Sequence, residues 1–327
     1  MARENLRVAV VGLGKMGLVH SSVLNVLPNV ELAAICEKSS LIRRFSKKVF
    51  KEANIVDDVK ELSKFDLDAV YVTTPIPSHF AIAKTLYSEG GVNNIFVEKT
   101  LAESCEQASE LCELAHTFGG TNMVGYLRRF YVTFKKAQDL LLQDEIGKVS
   151  AFKAYAYSAD FSECKKEVLE RAALRGGVLK DLGCHAIDLA LWFFGDLHCN
   201  PSDLASPADR ELSNLTSFKV RGADGLSGRF DVSWCMSNYR VAEVGFSIEG
   251  SKGVIEVNDD KVELRPNTGK ASVWYRHNLQ DNVPFWLGLP EYYREDLHFI
   301  NSAIGSRDAE PNFGAGLKVD RIIGQIA

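Results

Sequence analysis

A short, mostly apolar run over residues 6–11 leads straight into Gly12-Leu13-Gly14-Lys15-Met16-Gly17, and this junction constrains the fold more than any other stretch. The run has strand length, and Met16, Val19, Val23 and Leu27 follow it at helical spacing, in a stretch that also holds Lys15, His20 and serines. A second apolar run, 30–36, ends in Glu37, about 20 residues beyond the last glycine. Strand, glycine turn, helix and a second strand ending in an acid is the layout of a dinucleotide-binding unit. Gly12 permits a tight turn, Gly14 puts no side chain between the backbone and a pyrophosphate, and Gly17 lets the helix lie close to the sheet. The loop from Gly12 through Leu13, Gly14, Lys15 and Met16 to Gly17 then offers helix N-terminal N–H groups and a partial positive charge to the phosphates. Glu37 would accept hydrogen bonds from the ribose hydroxyls. The competing reading is a plain structural turn followed by a solvated strand tip.

The first third of the chain alternates strand and helix: a helical stretch over 41–50, strands near 55–56, 67–72, 94–97 and 122–124, and helices over 80–88 and 104–118. This predicts an α/β fold with a doubly wound parallel sheet over residues 1–124. Right-handed crossovers would put every strand C-terminus on one edge, so Gly12, Glu37, Thr73, Glu98 and Gly125 all begin loops on the same rim. From 125 to 327 the pattern changes to an α+β domain. Helices are expected over 131–142 and 176–194, and a strand over 148–157. Strands then follow over 213–220, 226–234, 244–249, 253–257 and 261–265, with turn signals between them, and helices near the C-terminus. Strands joined by tight turns imply a mostly antiparallel open sheet. With helices on one face, its other face suits a partner copy, so a homodimer or homotetramer is expected.

Charged residues make up 25% of the chain and hydrophobic residues 46%, the balance of an ordinary folded protein. A net charge of −5 gives no general attraction to nucleic acid or an anionic membrane. The apolar stretch 182–195 is interrupted by His185 and Asp188 and is too short to span a bilayer. No signal peptide fits the first residues. The seven cysteines form no C-x-x-C pair, so neither a disulfide framework nor a metal site is expected, and reduced thiols point to a cytoplasmic location.

The segment Gly176-Gly177-Val178-Leu179-Lys180-Asp181-Leu182-Gly183-Cys184-His185-Ala186-Ile187-Asp188 is the second informative feature. Asp181, His185 and Asp188 fall at i, i+4 and i+7, one face of a helix whose other positions are apolar or small. Two carboxylates and an imidazole on such a stripe are costly unless they meet one another, water or a ligand. A carboxylate beside an imidazole suits a general base, and a hydrogen-bonded structural network suits the same spacing equally. Lys99, following Glu98 at the end of a core strand, is either a proton relay to a substrate hydroxyl or a solvated strand-end lysine.

Together these residues resemble the Gfo/Idh/MocA family of NAD(P)-dependent oxidoreductases. The glycine fingerprint is matched by Gly12, Gly14 and Gly17, and a Thr-Pro-x-x-x-His loop by Thr74, Pro75 and His79. A Glu-Lys-Pro motif is matched by Glu98 and Lys99, with Thr100 in place of the proline. Gly-Gly-x-x-x-Asp-x-Gly-x-His-x-x-Asp is matched in full over 176–188. The resemblance implies a hydride transfer between a nicotinamide and a secondary alcohol or ketone of a sugar, cyclitol or nucleotide-sugar. Lys99, Asp181 and His185 would form the catalytic group, His185 taking the hydroxyl proton while Lys99 and Asp181 orient and polarise. It also implies that Glu98, Thr73, Thr74, Pro75 and His79 line the cofactor and that Tyr126, Arg129, Tyr131 and Asp188 stand on the substrate side. Packing between domains is the alternative for Tyr126, Arg129 and Tyr131. Glu37 favours NAD, while Lys38, Ser39 and Arg43 leave NADP open. Two other functions fit the same fold: a glycoside hydrolase that retains NAD, and a non-catalytic cofactor sensor. Specificity would be set by the second domain's sheet and the 152–175 region.

Overall fold

The computed structural model describes residues 5–160, 176–199, 215–279 and 290–326. The chain divides into two compact units, Met1–Tyr126 with Val283–Leu317, and Leu127–Asn282 with Lys318–Ala327.

In the first unit β1 (Leu6–Val11), β2 (Val30–Cys36), β3 (Asn54–Val56), β4 (Ala69–Val72), β5 (Asn94–Glu98) and β6 (Asn122–Gly125) pair in parallel, in the order β3-β2-β1-β4-β5-β6. The central residues of β1, β2, β4, β5 and β6 are almost wholly buried, as a sheet covered on both faces requires, which is why these strands read as near-continuous apolar runs; the edge strand β3 is half-buried or exposed. Helices α1 (Lys15–Leu24), α2 (Ser40–Val49), α3 (His79–Thr85) and α4 (Cys105–Phe118) make the crossovers. The strand order reverses between β1 and β4, and ligands bind such sheets at that switch point, beyond the strand C-termini. The sheet matches the doubly wound expectation.

The buried face of α1 differs from the one its apolar spacing outlines. Gly17, His20, Ser21, Val23 and Leu24 are buried, whereas Met16 and Val19 are only partly covered. A glycine, a histidine and a serine face the sheet because the helix lies close to it. A Cβ on Gly17 would fall onto the Gly12 carbonyl oxygen, well inside van der Waals contact.

A segment from the far end of the chain completes this unit, although the sequence assigned everything after 124 to the second domain. Helix α7 (Pro290–Ile304) and the first residues of α8 (Phe313–Ile326) belong here. Phe299 of α7 meets Tyr71 and Phe96 edge-on, at 5.3 and 5.8 Å between ring centres. The Phe313 N–H donates to the Asn122 side chain at 2.7 Å. Hydrophobic periodicity reports that a helix is buried on one side, never against which partner.

In the second unit α5 (Val132–Leu142), β7 (Val149–Tyr157), α6 (Cys184–Phe194), β8 (Leu215–Arg221), β9 (Ser227–Ser233), β10 (Glu243–Gly250), β11 (Gly253–Asn258), β12 (Lys261–Pro266) and β13 (Ser272–Tyr275) are described. The sheet runs β13-β12-β11-β10-β7-β9-β8 and is antiparallel except where β7 meets β9. Phe152, Phe194 and Phe246, with Phe134 and Phe193, build the core under one face; Phe152 stacks on Phe194 at 4.6 Å. The other face carries Tyr155, Tyr157, Arg229 and Asp231, half-buried or exposed. The expected strand start at 213 and the 161–175 part of the expected specificity region lie outside the described residues. No described helix is long and apolar enough to cross a membrane.

Candidate functional site

The glycine turn leaves β1 through Gly12, whose φ of +90° lies in the region that favours glycine. The Gly12 N–H donates to the Cys36 carbonyl at 2.8 Å, and the Thr73 hydroxyl donates to the Gly12 carbonyl at 2.6 Å. Three strand ends thus tie the turn. Beyond it, α1 begins at Gly14 with no side-chain cap and no acid in its first turn, although Ser39 caps α2 and Ser104 caps α4. An uncapped helix N-terminus leaves donors and a partial positive charge for an anion. No atom lies within 4 Å of the place a Cβ on Gly14 would occupy, so the space over these N–H groups is open.

Glu37 stands beside that opening, half-buried. One carboxylate oxygen accepts from the Leu13 N–H and the other from the Ser39 N–H, both at 2.7 Å. Each oxygen keeps further lone-pair capacity for a hydroxyl donor. Arg43 is committed elsewhere: it donates to the carbonyls of Glu37 and Lys38 at 2.9 and 2.7 Å and pairs with Asp57 at 2.9 Å. Lys15 and Lys38 are exposed. An uncapped helix end, an empty approach and a fixed carboxylate together fit the pyrophosphate and ribose of a dinucleotide. Gly12, Gly14, Lys15, Met16 and Gly17 would hold it, with Glu37 on the ribose and Leu13 acting through its bond to Glu37.

Other residues expected at the cofactor have different positions. His79 is fully buried, its Nδ1 2.9 Å from the Thr100 carbonyl and its Nε2 2.7 Å from the Thr74 carbonyl. It therefore ties the Thr74-Pro75 loop to the chain after Lys99 instead of touching a ligand. Burial holds its pKa below the usual imidazole value, against the pull of the two carbonyls. Thr73 spends its hydroxyl on the glycine turn, and Thr74 accepts from Ser78 at 2.8 Å, while Pro75 is exposed on the rim. Glu98 is turned inward, one oxygen against His20 and the other accepting the Lys99 N–H at 3.0 Å. Lys99 itself is half-buried, and the Lys99–Thr100 peptide bond is cis.

In the second unit Gly176 and Gly177 both take positive φ and open the segment. A single π-helical turn, Leu179–Gly183, precedes α6, so Asp181 and His185 occupy successive turns of a helix that is not uniformly α. Gly183 lets this turn lie against Val232 of β9. Asp181 is half-buried and His185 is 9% exposed. Asp188, one turn further, is 1% exposed and clamped by Arg129, whose Nε and Nη2 reach the carboxylate at 2.6–3.1 Å. Arg129 and Asp188, expected on the substrate side, are thus joined to each other. Arg128 forms a matching fork on Asp259 at 3.1 and 3.2 Å, and burial raises the Asp259 carboxyl against that pull. The Arg128 and Arg276 guanidinium groups lie 5.9 and 5.1 Å from the centre of the Tyr131 ring. Tyr126, the last residue of the first unit, is fully buried.

Residues 6–126 match the oxidoreductase family with an NAD-binding Rossmann fold, and residues 134–256 match the GFO/IDH/MocA C-terminal domain. The chain belongs to the GFO/IDH/MocA family of NAD-binding oxidoreductases. Among similar proteins, the uncharacterized oxidoreductase YrbE of Bacillus subtilis is 23% identical over 326 residues, covering 96% of this chain and 91% of that protein. The scyllo-inositol 2-dehydrogenase (NAD(+)) of the same organism is 28% identical over 197 residues, 59% of this chain and 55% of its own. A levoglucosan dehydrogenase solved with NADH and levoglucosan shares the fold, with a TM-score of 0.83 at 18% identity over 98% of this chain and 97% of that one.

Proposed function

We propose that this enzyme interconverts a secondary alcohol and a ketone on a sugar, cyclitol or nucleotide-sugar, with NAD preferred over NADP. The observation that carries the reading is the uncapped, open N-terminus of α1 beside a Glu37 already held by two backbone N–H groups. A 2′-phosphate would meet that carboxylate, and Arg43, the one arginine among the residues expected to hold it, is engaged by Asp57 and two carbonyls. The scyllo-inositol and levoglucosan relatives support a polyhydroxylated substrate.

Bound NAD supplies the hydride acceptor; the protein's own residues handle the proton. His185 takes the proton of the substrate hydroxyl, Asp181 on the preceding turn orients the imidazole, and Lys99 acts as a hydrogen-bond donor that polarises the substrate. In the reverse direction His185 returns the proton to the alkoxide oxygen. Arg129 and Asp188 hold the start of the second unit onto α6, and Tyr126 and Tyr131 shape the adjoining backbone. The tyrosine-rich outer face of the second sheet, where Tyr155, Tyr157 and Tyr239 cluster with ring centres 5.0–6.1 Å apart, supports assembly into a homodimer or homotetramer. A cytoplasmic location fits cysteines that make no expected framework. Neither the hydrolase nor the sensor reading gains support from the comparisons.

The test is a panel of inositols, free sugars, anhydrosugars and nucleotide-sugars, assayed with NAD and NADP separately by absorbance of the reduced nicotinamide. Turnover on at least one polyol, faster with NAD, is expected. Lys99→Ala should lower kcat by about a hundredfold or more and leave NADH affinity within about twofold. Undiminished turnover would remove Lys99 from the chemistry.

A further inference from the structure

His20 sits in the middle of α1, fully buried, with a carboxylate at each ring nitrogen. Its Nδ1 is 2.7 Å from Asp296 of α7 and its Nε2 is 3.0 Å from Glu98 of β5. Tyr71, Phe96 and Tyr292 surround the ring at 5.5, 5.1 and 5.8 Å between centres. Two ionised carboxylates are acceptors only, so both ring nitrogens donate and the imidazole is a cation. The far oxygen of Glu98 accepts the Lys99 N–H at 3.0 Å, and a Cβ on Gly125 would stand 3.1 Å from that oxygen. Gly125 therefore leaves the carboxylate its space. Tyr292, from the same helix as Asp296, reaches Met16 of the glycine loop with its hydroxyl 3.8 Å from Sδ. The returning helix thus braces the cofactor loop and the Lys99 strand end at once.

We propose that the chain Asp296–His20–Glu98 is a positioning network that fixes the Lys99 backbone, so that the aim of the Lys99 side chain is set by a helix from the far end of the sequence. The inference rests on the reading of Lys99 as a group that touches substrate. His20 and Asp296 touch neither substrate nor cofactor; they act through Glu98. Glu295 of α7 and the Tyr71 hydroxyl of β4 face the same pocket, and the Lys99 charge faces Glu98. Although burial disfavours a charged ring, the Asp296 and Glu98 carboxylates raise the His20 pKa well above its usual value. Burial opposes Glu98 as well, yet His20 and Lys99 hold it below the usual carboxylate value. Both directions agree with an imidazolium–carboxylate pair between His20 and Glu98, while burial holds the Asp296 carboxyl above its usual value against the pull of His20. A cation ligated by His20, Glu295 and Asp296 is a different use of the same atoms, and it would require a ring nitrogen without a proton.

The test is amide hydrogen exchange on the full chain at pH 7, comparing wild type with His20→Phe, His20→Gln and Asp296→Asn. His20→Phe should speed exchange of the Lys99 amide by about tenfold or more, with the Val10 and Ile35 amides of the same sheet unchanged. His20→Gln, which restores an N–H toward Glu98, should recover part of that protection, and Asp296→Asn should give a smaller loss in the same direction. If His20→Phe does not fold, Asp296→Asn, nearly isosteric with the native side chain, carries the test. A folded variant with an unchanged Lys99 amide overturns the proposal, and so does equal acceleration at Val10 and Ile35. Nitrogen-15 spectra should find both His20 ring nitrogens protonated at pH 7.5; a neutral ring, or a shift on adding Zn²⁺, overturns it too. With the best substrate of the panel, Asp296→Asn should lower kcat roughly ten- to a hundredfold and leave the KM for NAD unchanged. Retained turnover in Lys99→Ala would sink the catalytic reading alone, since the exchange result does not depend on it.

Discussion

Glu37, at the rim beyond β2, and Asp188, inside α6, are both carboxylates met by two hydrogen-bond donors, and they serve different ends. The donors on Glu37 are backbone N–H groups of its own and the neighbouring loop, which fix its position without neutralising it. The donors on Asp188 belong to one guanidinium, which closes a buried ion pair. A carboxylate held by neutral N–H groups at a rim keeps its charge for a ligand; one sealed by arginine is occupied in holding the fold. The same contrast separates the helix ends of the first unit. Ser39 and Ser104 close theirs, and Gly14 leaves one open.

The largest expected effect lies on the sealed side. Asp188→Asn strands the Arg129 charge in the interior and should cost about 3–5 kcal/mol in denaturant unfolding, whereas an apolar replacement of both partners should recover most of it. On the open side the glycines divide the two roles. Gly17→Ala should cost roughly 1–3 kcal/mol of stability, because its Cβ meets the Gly12 backbone. Gly14→Ala should leave stability unchanged and weaken NADH binding by about tenfold, read by nicotinamide fluorescence. Equal behaviour of the two variants would erase the distinction between shaping the turn and clearing the approach. Glu37→Ala should weaken NAD by roughly ten- to a hundredfold and NADP less, so the preference narrows; titration with each cofactor reads the ratio.

The smallest effect is in pH dependence. Glu98 has a lowered folded pKa, so its contribution is present above the ordinary value of 4.5 and lost as pH falls through the lower folded one. His20 is raised, so its contribution is complete below 6.5 and lost as pH rises through the folded value. Asp296 is raised by burial, so its own loss begins as pH rises past its ordinary value of 3.8. Both members of the pair act fully between about pH 4.5 and 6.5. Melting temperature against pH should therefore fall off on both sides of that window in wild type, and by a few degrees less, roughly, in His20→Gln.

Much of the first unit was legible because its signals are local. Strands buried on both faces read as apolar runs, and β1, β2, β5 and β6 lie within a residue or two of the spans read from sequence. The edge strand β13 was missed: Ser272-Val273-Trp274-Tyr275 is mostly exposed, and a solvated edge needs no alternation. Glycine and acid at the cofactor rim were legible for the same local reason. His79 was placed at the ligand by its motif, but the fold buries it with its ring nitrogens facing the Thr100 and Thr74 carbonyls. His20 carried no signal as a functional residue, since its partners lie 78 and 276 residues away.

The order of strands and helices in the first sheet, the glycine turn and the acid that follows it were set by the sequence itself, because each depends on neighbours within a few residues. Which charges face a ligand and which face each other was decided only by the tertiary structure. A carboxylate reads the same in the chain whether an N–H, an arginine or an imidazole meets it, and the interior makes those three outcomes energetically different.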